Sequence, residues 1–346
     1  MEYFVPFFAI LAFFPYQKGK NLEFYIKVLM IVVFVVFLYG MGQKYLNFPV
    51  IMTQNSESSK GAALSWVPGS QLSSTFAGHY DLALFMVLVL PILISLIFVV
   101  KNRVSKIVLI LSSLCGYWLL INTASRISLA SYLIAVCISL FLMKKTKAII
   151  LVVVISLILS VFSPSLFARY KSLIDVYSQK IKNVKIVNTS LININVSAQE
   201  IVPTITTPKP VIEDRSTSIR LNVEWPRAIR AFSKNPLLGT GYSSIGLASD
   251  NDYLRLLAEV GILGFLGFIL ILTRIIMVFV SAYPLHRKLS GVRLGFVAGV
   301  VGGFLGTLIN AVFIDVFEAS KFAIIFWLLV GLAVYVVKDI SNEHKV

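Results

Sequence analysis

Apolar runs long enough to cross a lipid bilayer alternate with short polar connections along most of the chain. A helix needs roughly 20 apolar residues to span the hydrocarbon layer. The pattern predicts an all-α integral membrane protein with about nine transmembrane helices. We place these helices near residues 2–15, 25–41, 81–100, 107–122, 127–143, 148–163, 253–280, 291–314 and 322–337.

Two longer polar stretches, about 42–80 and about 164–250, interrupt this alternation. We therefore expect an N-terminal bundle of about six spans over 1–163, a large loop over 164–250, and a C-terminal bundle of about three spans over 251–346. The segment 2–15 is short and has no basic stretch or small-residue cleavage site, so it is not a signal peptide. It is typical of the remnant of a span, or of a segment whose upstream partners are missing.

Lysine and arginine are concentrated in alternate short connections. Because basic residues favour the cytoplasmic side, these connections and the C-terminus are predicted to be cytoplasmic. The N-terminus and both long polar stretches are then external. The residues that carry this signal are Lys18, Lys20, Lys27, Lys101, Arg103, Lys106, Lys144, Lys145, Lys147, Arg287, Lys288 and Arg293.

The composition agrees with this assignment, because 58% of the residues are hydrophobic and only 14% are charged. The net charge of +15 is largely explained by the basic connections. A basic stripe with interleaved aromatic residues is absent from the sequence, which argues against a nucleic-acid partner. Cys115 and Cys137 each lie alone in an apolar segment, which indicates neither a disulfide nor a metal site.

The second polar stretch changes character from residue 216, where it reads STSIRLNVEWPRAIRAFSKNPLLGTGYSS. Arg220, Glu224 and Arg227 are spaced to share one face of a helix. Pro226 either kinks this helix or opens it at its first turn. We expect an amphipathic helix on the outer membrane surface. Its apolar face would consist of Leu221, Trp225, Ala228 and Phe232.

Charged residues gather where the next apolar segment begins, in SDNDYLRLLAEVGILGFLGF at 249–268. Charges close to hydrocarbon are costly and usually functional. Ser249 or Asp250 is predicted to cap a helix that begins near Asn251. Arg255 is expected to neutralise Glu259 one turn further along. The glycines of this segment, at 261, 264 and 267, are expected to allow close helix packing.

Four stretches, in this order, resemble the superfamily of O-antigen ligases and Wzy-type polymerases. SSTFAGHYDLALFMVLVLP is similar to the family's entry into a helix after the first external loop, and TASRISLASYL to its Ser-Arg turn. R-x-x-x-x-W followed by NPLLGTGYSS, and then DNDYLRLLAEVGILGFLGF, resemble the large loop and the helix after it. The resemblance covers roughly residues 40 to 270.

The resemblance implies an enzyme that transfers a glycan from a polyprenyl-pyrophosphate-linked donor to an acceptor hydroxyl at the outer face of the bacterial inner membrane. No cofactor or metal ion is expected, because arginines can stabilise the leaving pyrophosphate. Arg126 and Arg220 match the family's arginines, and Arg227 would complete a phosphate clamp. Alternatively, Arg126 snorkels to the membrane surface and Arg220 pairs with Glu224 on an exposed face.

The family's ligases carry a histidine where this chain has Asp250. That departure favours a polymerase, in which Asp250 is either the general base or only a helix cap. Glu259 and Arg255 are expected to help hold the acceptor.

Three further residues complete the candidate substrate-binding set. Tyr253 has a packing role as its alternative, and Asp81 a capping role. His79 stands beside Asp81 where a helix starts.

Repeat-unit polymerisation is thus the favoured function, with the lipid-linked donor, a glycan or lipid-linked acceptor and membrane lipid as partners. Ligase-type transfer is the nearest alternative, and a polymerase of the shape-and-division type would use similar chemistry. A flippase for lipid-linked glycans belongs to a different class. Such transporters tend to show internal repeats and polar residues near the bilayer midplane, whereas this chain gathers its charges at the outer ends.

Overall fold

The computed structural model describes residues 2–13, 22–51, 70–161, 218–245 and 249–343, and the regular structure in these ranges is helical. A short 3₁₀ turn, Glu2–Phe4, precedes the first helix. The α-helices are α1 (Val5–Phe13), α2 (Leu22–Leu46), α3 (His79–Ile97), α4 (Arg103–Asn122), α5 (Arg126–Leu142), α6 (Thr146–Val161), α7 (Trp225–Lys234), α8 (Asp252–Ser281), α9 (Leu285–Lys288), α10 (Gly291–Asn310) and α11 (Ser320–Glu343).

Within the described ranges, six helices are long and apolar enough to cross a membrane, namely α2, α3, α4, α8, α10 and α11. Helices α5 and α6 are apolar but shorter, and α1 is shorter still. The all-α membrane class is confirmed, while the count of nine spans stays a prediction. Parts of both predicted external stretches, 52–69 in the first and 164–217 and 246–248 in the second, lie outside the described residues.

Helix α3 forms the centre of the molecule, where it is buried along Leu82–Leu96. A helix that is apolar all round is one that neighbours surround. Helix α10 packs against α3 and α5 through small residues, because a side chain at Gly299 or Gly303 would collide with the backbone of α3. One apolar core therefore joins helices from both predicted bundles.

The helix ends fall into two groups at opposite ends of the bundle. At one end, the amide of Leu72 donates to the carbonyl of Asn122 (3.1 Å), and the amide of Asp252 donates to that of Ala311 (2.9 Å). At the other end, Phe98 lines a cavity with Lys144. We call these the site end and the basic end.

The predicted basic connections that the structure describes, around 101–106, 144–147 and 287–293, all lie between helices at the basic end. The structure thus agrees with the predicted alternation, in which every second connection is basic and lies at the same end of the bundle. The compartment that each end faces stays a prediction.

Helix α8 is broken at Gly261, whose φ of 66° and ψ of −171° are not helical. The sequence predicted a span over about 253–280, which agrees with the bounds of α8, but the break at Gly261 was not predicted. Gly261 was expected to allow close packing. Gly261 also adopts a positive φ, which a residue without a Cβ atom does at little cost, and it lets the backbone of Leu237 and Gly239 approach the helix.

Candidate functional site

The loop helix at the site end begins with a π-helical turn, Arg220–Glu224, and continues as α7. Pro226 has no amide proton and cannot donate to a carbonyl four residues earlier. The amide of Trp225 donates instead to Arg220, five residues back. Pro226 therefore lies in the first turn of α7, directly after a widened turn. This is one of the two predicted alternatives, the other being a kink within the helix.

Helix α7 lies against the membrane bundle through the apolar face that the sequence predicted. The ring of Trp225 is 6.4 Å from that of Phe313, and Ala228 is fully buried beside Ala258. Leu221 departs from the prediction, since it is 52% exposed. The widened π turn explains this, because it rotates residues before Pro226 away from the α-helical register.

The turn Pro236–Leu237–Leu238–Gly239–Thr240–Gly241 fills the break in α8. The amides of Thr240 and Gly241 donate to the carbonyls of Ala258 and Glu259, both at 2.9 Å. In return, the amide after the break, that of Ile262, donates to Pro236 at 2.8 Å. The turn thus satisfies backbone groups that the interrupted helix leaves open.

Arg220 is the most buried cation at the site end, with 6% of its surface exposed. Its Nε donates to Asp250 Oδ2 at 2.9 Å. Its Nη2 lies 2.8 Å from the same oxygen, yet no N–H of Nη2 points at an acceptor. The guanidinium carbon lies 6.0 Å from the centre of the Tyr80 ring. Burial alone would lower the pKa of Arg220, but the Asp250 carboxylate and Tyr80 raise it above its usual value.

The sequence offered an ion pair between Arg220 and Glu224 as an alternative. In the structure Arg220 pairs with Asp250 instead. The cap of α8 is Asn251, whose side chain accepts from the amide of Leu254 at 3.0 Å. The prediction that Ser249 or Asp250 provides this cap is wrong. Asp250 has a φ of 47°, a conformation in which its carboxylate reaches Arg220.

Arg255 is surrounded by three carboxylates. It lies 3.3 Å from Glu259, 3.1 Å from Asp315 and 2.6 Å from Glu318. The predicted pairing of Arg255 with Glu259 is confirmed. The sequence reading missed Asp315 and Glu318, although two acids in the short connection between α10 and α11 were a visible signal.

Asp315 and Asp252 lock the start of α8 to that same connection. Asp315 accepts from the amide of Ser249 at 2.9 Å and from that of Asn251 at 3.0 Å. Asp252 accepts from the amide of Val316 at 2.7 Å. The two acids therefore fix the backbone that carries Asp250.

Arg126 is the first residue of α5, directly after the capping residue Ser125. The hydroxyl of Ser128, in the same turn, donates to the side chain of Asn310 at 3.1 Å. Since Asn310 ends α10 beside the start of α8, the structure places Arg126 at the site end with Arg220. Its assignment to the donor pyrophosphate stays a prediction.

The remaining predicted residues surround this centre. The His79 ring lies 4.0 Å from that of Tyr80, which links it to Arg220. Asp81 is hydrogen-bonded to the backbone of Gly78 before α3, which supports its capping role. Tyr253 donates to the carbonyl of Leu308 at 2.9 Å, which supports packing.

Glu224 closes the π turn, and Arg227 follows it on α7. Burial raises the pKa of Glu224 to about 7, and the charge of Asp250 adds to the effect. The positive charges of Arg220 and Arg227 act against this shift, and Asp315 adds a smaller rise. The described site end thus holds a carboxyl that changes protonation near neutral pH.

Helix bundle and site together define a multi-pass membrane protein with buried charge at one end. Comparison with protein families gives a match to the O-antigen ligase family over residues 108–269. This match confirms the resemblance to the superfamily of O-antigen ligases and Wzy-type polymerases. It contains the Arg126 turn, the loop helix and the start of α8, and it points to glycan transfer of the ligase or polymerase type. Comparison with curated proteins gives no significant match.

The stretch around His79 and Asp81 precedes the matched segment, and the connection with Asp315 and Glu318 follows it. The structure nevertheless joins all three parts at the site end, through Tyr80 on one side and Arg255 on the other. Sequence similarity alone would therefore outline only part of the site.

Proposed function

We propose that the protein transfers a glycan from a polyprenyl-pyrophosphate-linked donor to an acceptor hydroxyl at its site end. The observation that carries this proposal is the Arg220 guanidinium, which is buried, permanently charged, and has an Nη2 atom that forms an ion pair with Asp250 but no hydrogen bond. Each terminal nitrogen of a guanidinium carries two N–H groups, so Nη2 can pair with Asp250 and still donate a hydrogen bond. A phosphate oxygen of the donor would complete its coordination.

Arg126 and Arg227 assist Arg220 in this proposal. When the bond between the sugar and the pyrophosphate breaks, negative charge grows on the leaving oxygen. Fixed cations at that position stabilise the transition state more than the bound donor. Asp250 then acts as a positioning residue, because its carboxylate fixes the orientation of the guanidinium.

The acceptor is assigned to the side of Arg255. That arginine is already surrounded by Glu259, Asp315 and Glu318, so the cluster has an excess of negative charge. Such a surface repels a pyrophosphate but can hydrogen-bond sugar hydroxyls. The donor and the acceptor sugar would thereby occupy separate parts of one site.

We favour repeat-unit polymerisation over ligase-type transfer, since Asp250 stands where the family's ligases carry histidine and is engaged by Arg220. The site end is proposed to face outward from the bacterial inner membrane. The concentration of lysine and arginine at the opposite end supports this orientation.

The test uses the purified protein in lipid bilayers with a synthetic pyrophosphate-linked oligosaccharide. Polymerisation gives a ladder of products at multiples of the repeat, and ligation gives a single addition to an added lipid acceptor. Arg220→Ala and Arg126→Ala are expected to lower turnover at least about a hundredfold, the usual effect of losing one donor to developing charge. Arg220→Lys restores little, because lysine lacks the planar fork.

Arg103→Ala is the matched control, since Arg103 is exposed at the basic end. It removes the same charge from the other end of the bundle and should leave turnover unchanged. If both site-end alanine variants work at the parent rate, the pyrophosphate binds elsewhere. Movement of labelled donor across the bilayer without any new covalent product would identify a flippase instead.

A further inference from the structure

Glu224 differs from the other carboxylates that the structure describes at the site end. Its Oε2 atom is buried and has no hydrogen-bond partner among the described residues, and no ion pair joins this carboxyl to a described cation within 4.0 Å. It follows Arg220 by one π turn, on the same element. A carboxyl oxygen in this state can accept a hydrogen bond from an incoming group at no loss of an existing one.

The neighbouring acids are already occupied. Asp250 accepts from Arg220, and Asp315 accepts from two backbone amides and from Arg255. Asp252 accepts from backbone amides of the connection before α11. Glu259 Oε1 also makes no hydrogen bond, but it lies 3.3 Å from Arg255, and Glu318 pairs with the same arginine. A carboxylate that already holds cations or amides is a poor proton acceptor, because protonation would break those contacts.

We propose that Glu224 is the general base of the transfer reaction, in place of Asp250, and this inference rests on the proposed function. The acceptor hydroxyl oxygen forms a bond to the anomeric carbon of the donor sugar. The bond from that carbon to the pyrophosphate oxygen breaks, and the pyrophosphate leaves with the electron pair beside Arg220. The hydroxyl proton passes to Oε2 of Glu224.

The electrostatic surroundings of Glu224 agree with this role. Burial is the main cause that raises its pKa to about 7, and the charges of Asp250 and Asp315 act in the same direction. Arg220 and Arg227 face it with the opposite effect. A base is most effective when its pKa lies near the working pH, since it is then both available and sufficiently basic.

The position of Glu224 also suits the geometry of the reaction. The base must reach the acceptor hydroxyl on the side of Arg255, while the pyrophosphate leaves beside Arg220. Glu224 is linked to both sides, because it shares one short turn with Arg220 and is close enough to Asp315, the partner of Arg255, to be affected by its charge. Single π turns occur often at functional sites. Trp225 and Ala228, the anchors of this element, hold it against the bundle.

The test is the pH dependence of turnover in the lipid-reconstituted protein with the pyrophosphate-linked oligosaccharide. Turnover of the parent protein should rise with pH and reach half of its maximum near pH 7. Glu224→Gln should lower kcat about a hundred- to ten-thousandfold and abolish this rise. Glu224→Asp should keep the rise at reduced kcat.

Two further measurements separate a base from a structural residue. Binding of a labelled polyprenyl pyrophosphate should be unchanged in Glu224→Gln, because Arg220 remains. The melting temperature of that variant at pH 8 should be no lower than the parent's. Burial disfavours the ionised carboxylate, so the contribution of Glu224 to stability is present at low pH and lost as pH rises through about 7.

Glu23→Gln is the matched control, since Glu23 is exposed near the start of α2, away from the site end. It should keep both kcat and the pH profile. If the parent protein is active and Glu224→Gln keeps its kcat and pH profile, the base assignment is overturned while the proposed function stands. If the parent protein forms no product although it binds the labelled donor, the proposed function itself fails.

Discussion

The Arg220 side chain is fixed in place by Asp250 and can still donate hydrogen bonds to a ligand. Asp250 Oδ2 lies 2.9 Å from Nε and 2.8 Å from Nη2, the centre of the Tyr80 ring lies 6.0 Å from the guanidinium carbon, and Nη2 makes no hydrogen bond. The presence of an arginine here could be predicted from the motif and its spacing. Its partner could not, because Asp250 is 30 residues away and has a left-handed backbone conformation that the sequence pattern does not reveal.

Asp250→Ala should leave a buried guanidinium without its counter-ion. Breaking a buried pair costs about 3 kcal/mol, so we expect a clearly lower melting temperature. Inorganic pyrophosphate should restore much of this loss, since an anion that binds the folded state stabilises it. Thermal unfolding with and without pyrophosphate measures both effects.

Asp339→Ala provides the comparison, because Asp339 pairs with Arg293 at 3.8 Å near the basic end and is 32% exposed. Exposed pairs contribute about 0–1 kcal/mol, so this variant should melt close to the parent. An Asp250→Ala protein that is equally stable, or that gains nothing from pyrophosphate, would contradict an anion site at Arg220.

At the scale of elements, the decisive feature is the joint between the turn at 236–241 and the break in α8. The existence of α8 as a membrane-spanning helix could be predicted from its apolar run, since length and hydropathy suffice to identify a span. The break could not, because three glycines at equal spacing look alike in sequence. Only the turn that enters the helix distinguishes Gly261 from Gly264 and Gly267.

Gly261→Ala should destabilise the protein and lower transfer activity. Its φ of 66° is unfavourable for alanine, and the added Cβ would collide with the carbonyl of Leu237. Strain of this kind costs about 1–3 kcal/mol. Gly267→Ala is the control in the same helix, since nothing lies within 4 Å of its added Cβ. It should be neutral or slightly stabilising, and equal melting temperatures for the two variants would argue against the joint.

At the scale of the whole molecule, charge is divided between two ends of one helical bundle. The basic end could be predicted from lysine and arginine counts, because membrane insertion depends on those residues. The acids at the site end have little influence on insertion, and for that reason Asp315 and Glu318 escaped the same reading. Their role depends on Arg255, which approaches them only in the folded bundle.

Cysteine labelling tests which compartment each end faces. In a protein with Cys115 and Cys137 replaced by serine, Ser233→Cys should react with a membrane-impermeant thiol reagent added outside intact cells. Lys145→Cys should react only after the membrane is opened. Both positions are exposed at the surface of the bundle. The reverse pattern would place the arginines in the cytoplasm and remove the basis for an external glycan acceptor.

The joint between the turn and the broken helix also sets the natural boundaries for exchanging parts between related proteins. Backbone hydrogen bonds tie Pro236 to Ile262 and Gly241 to Glu259, so two segments that are distant in sequence form one structural unit. A chimera that takes its loop from one parent and its following helix from another would combine two mismatched halves of that unit. A crossover placed before residue 218 and another after residue 263 keeps the unit whole, so that both halves of the joint come from the same parent.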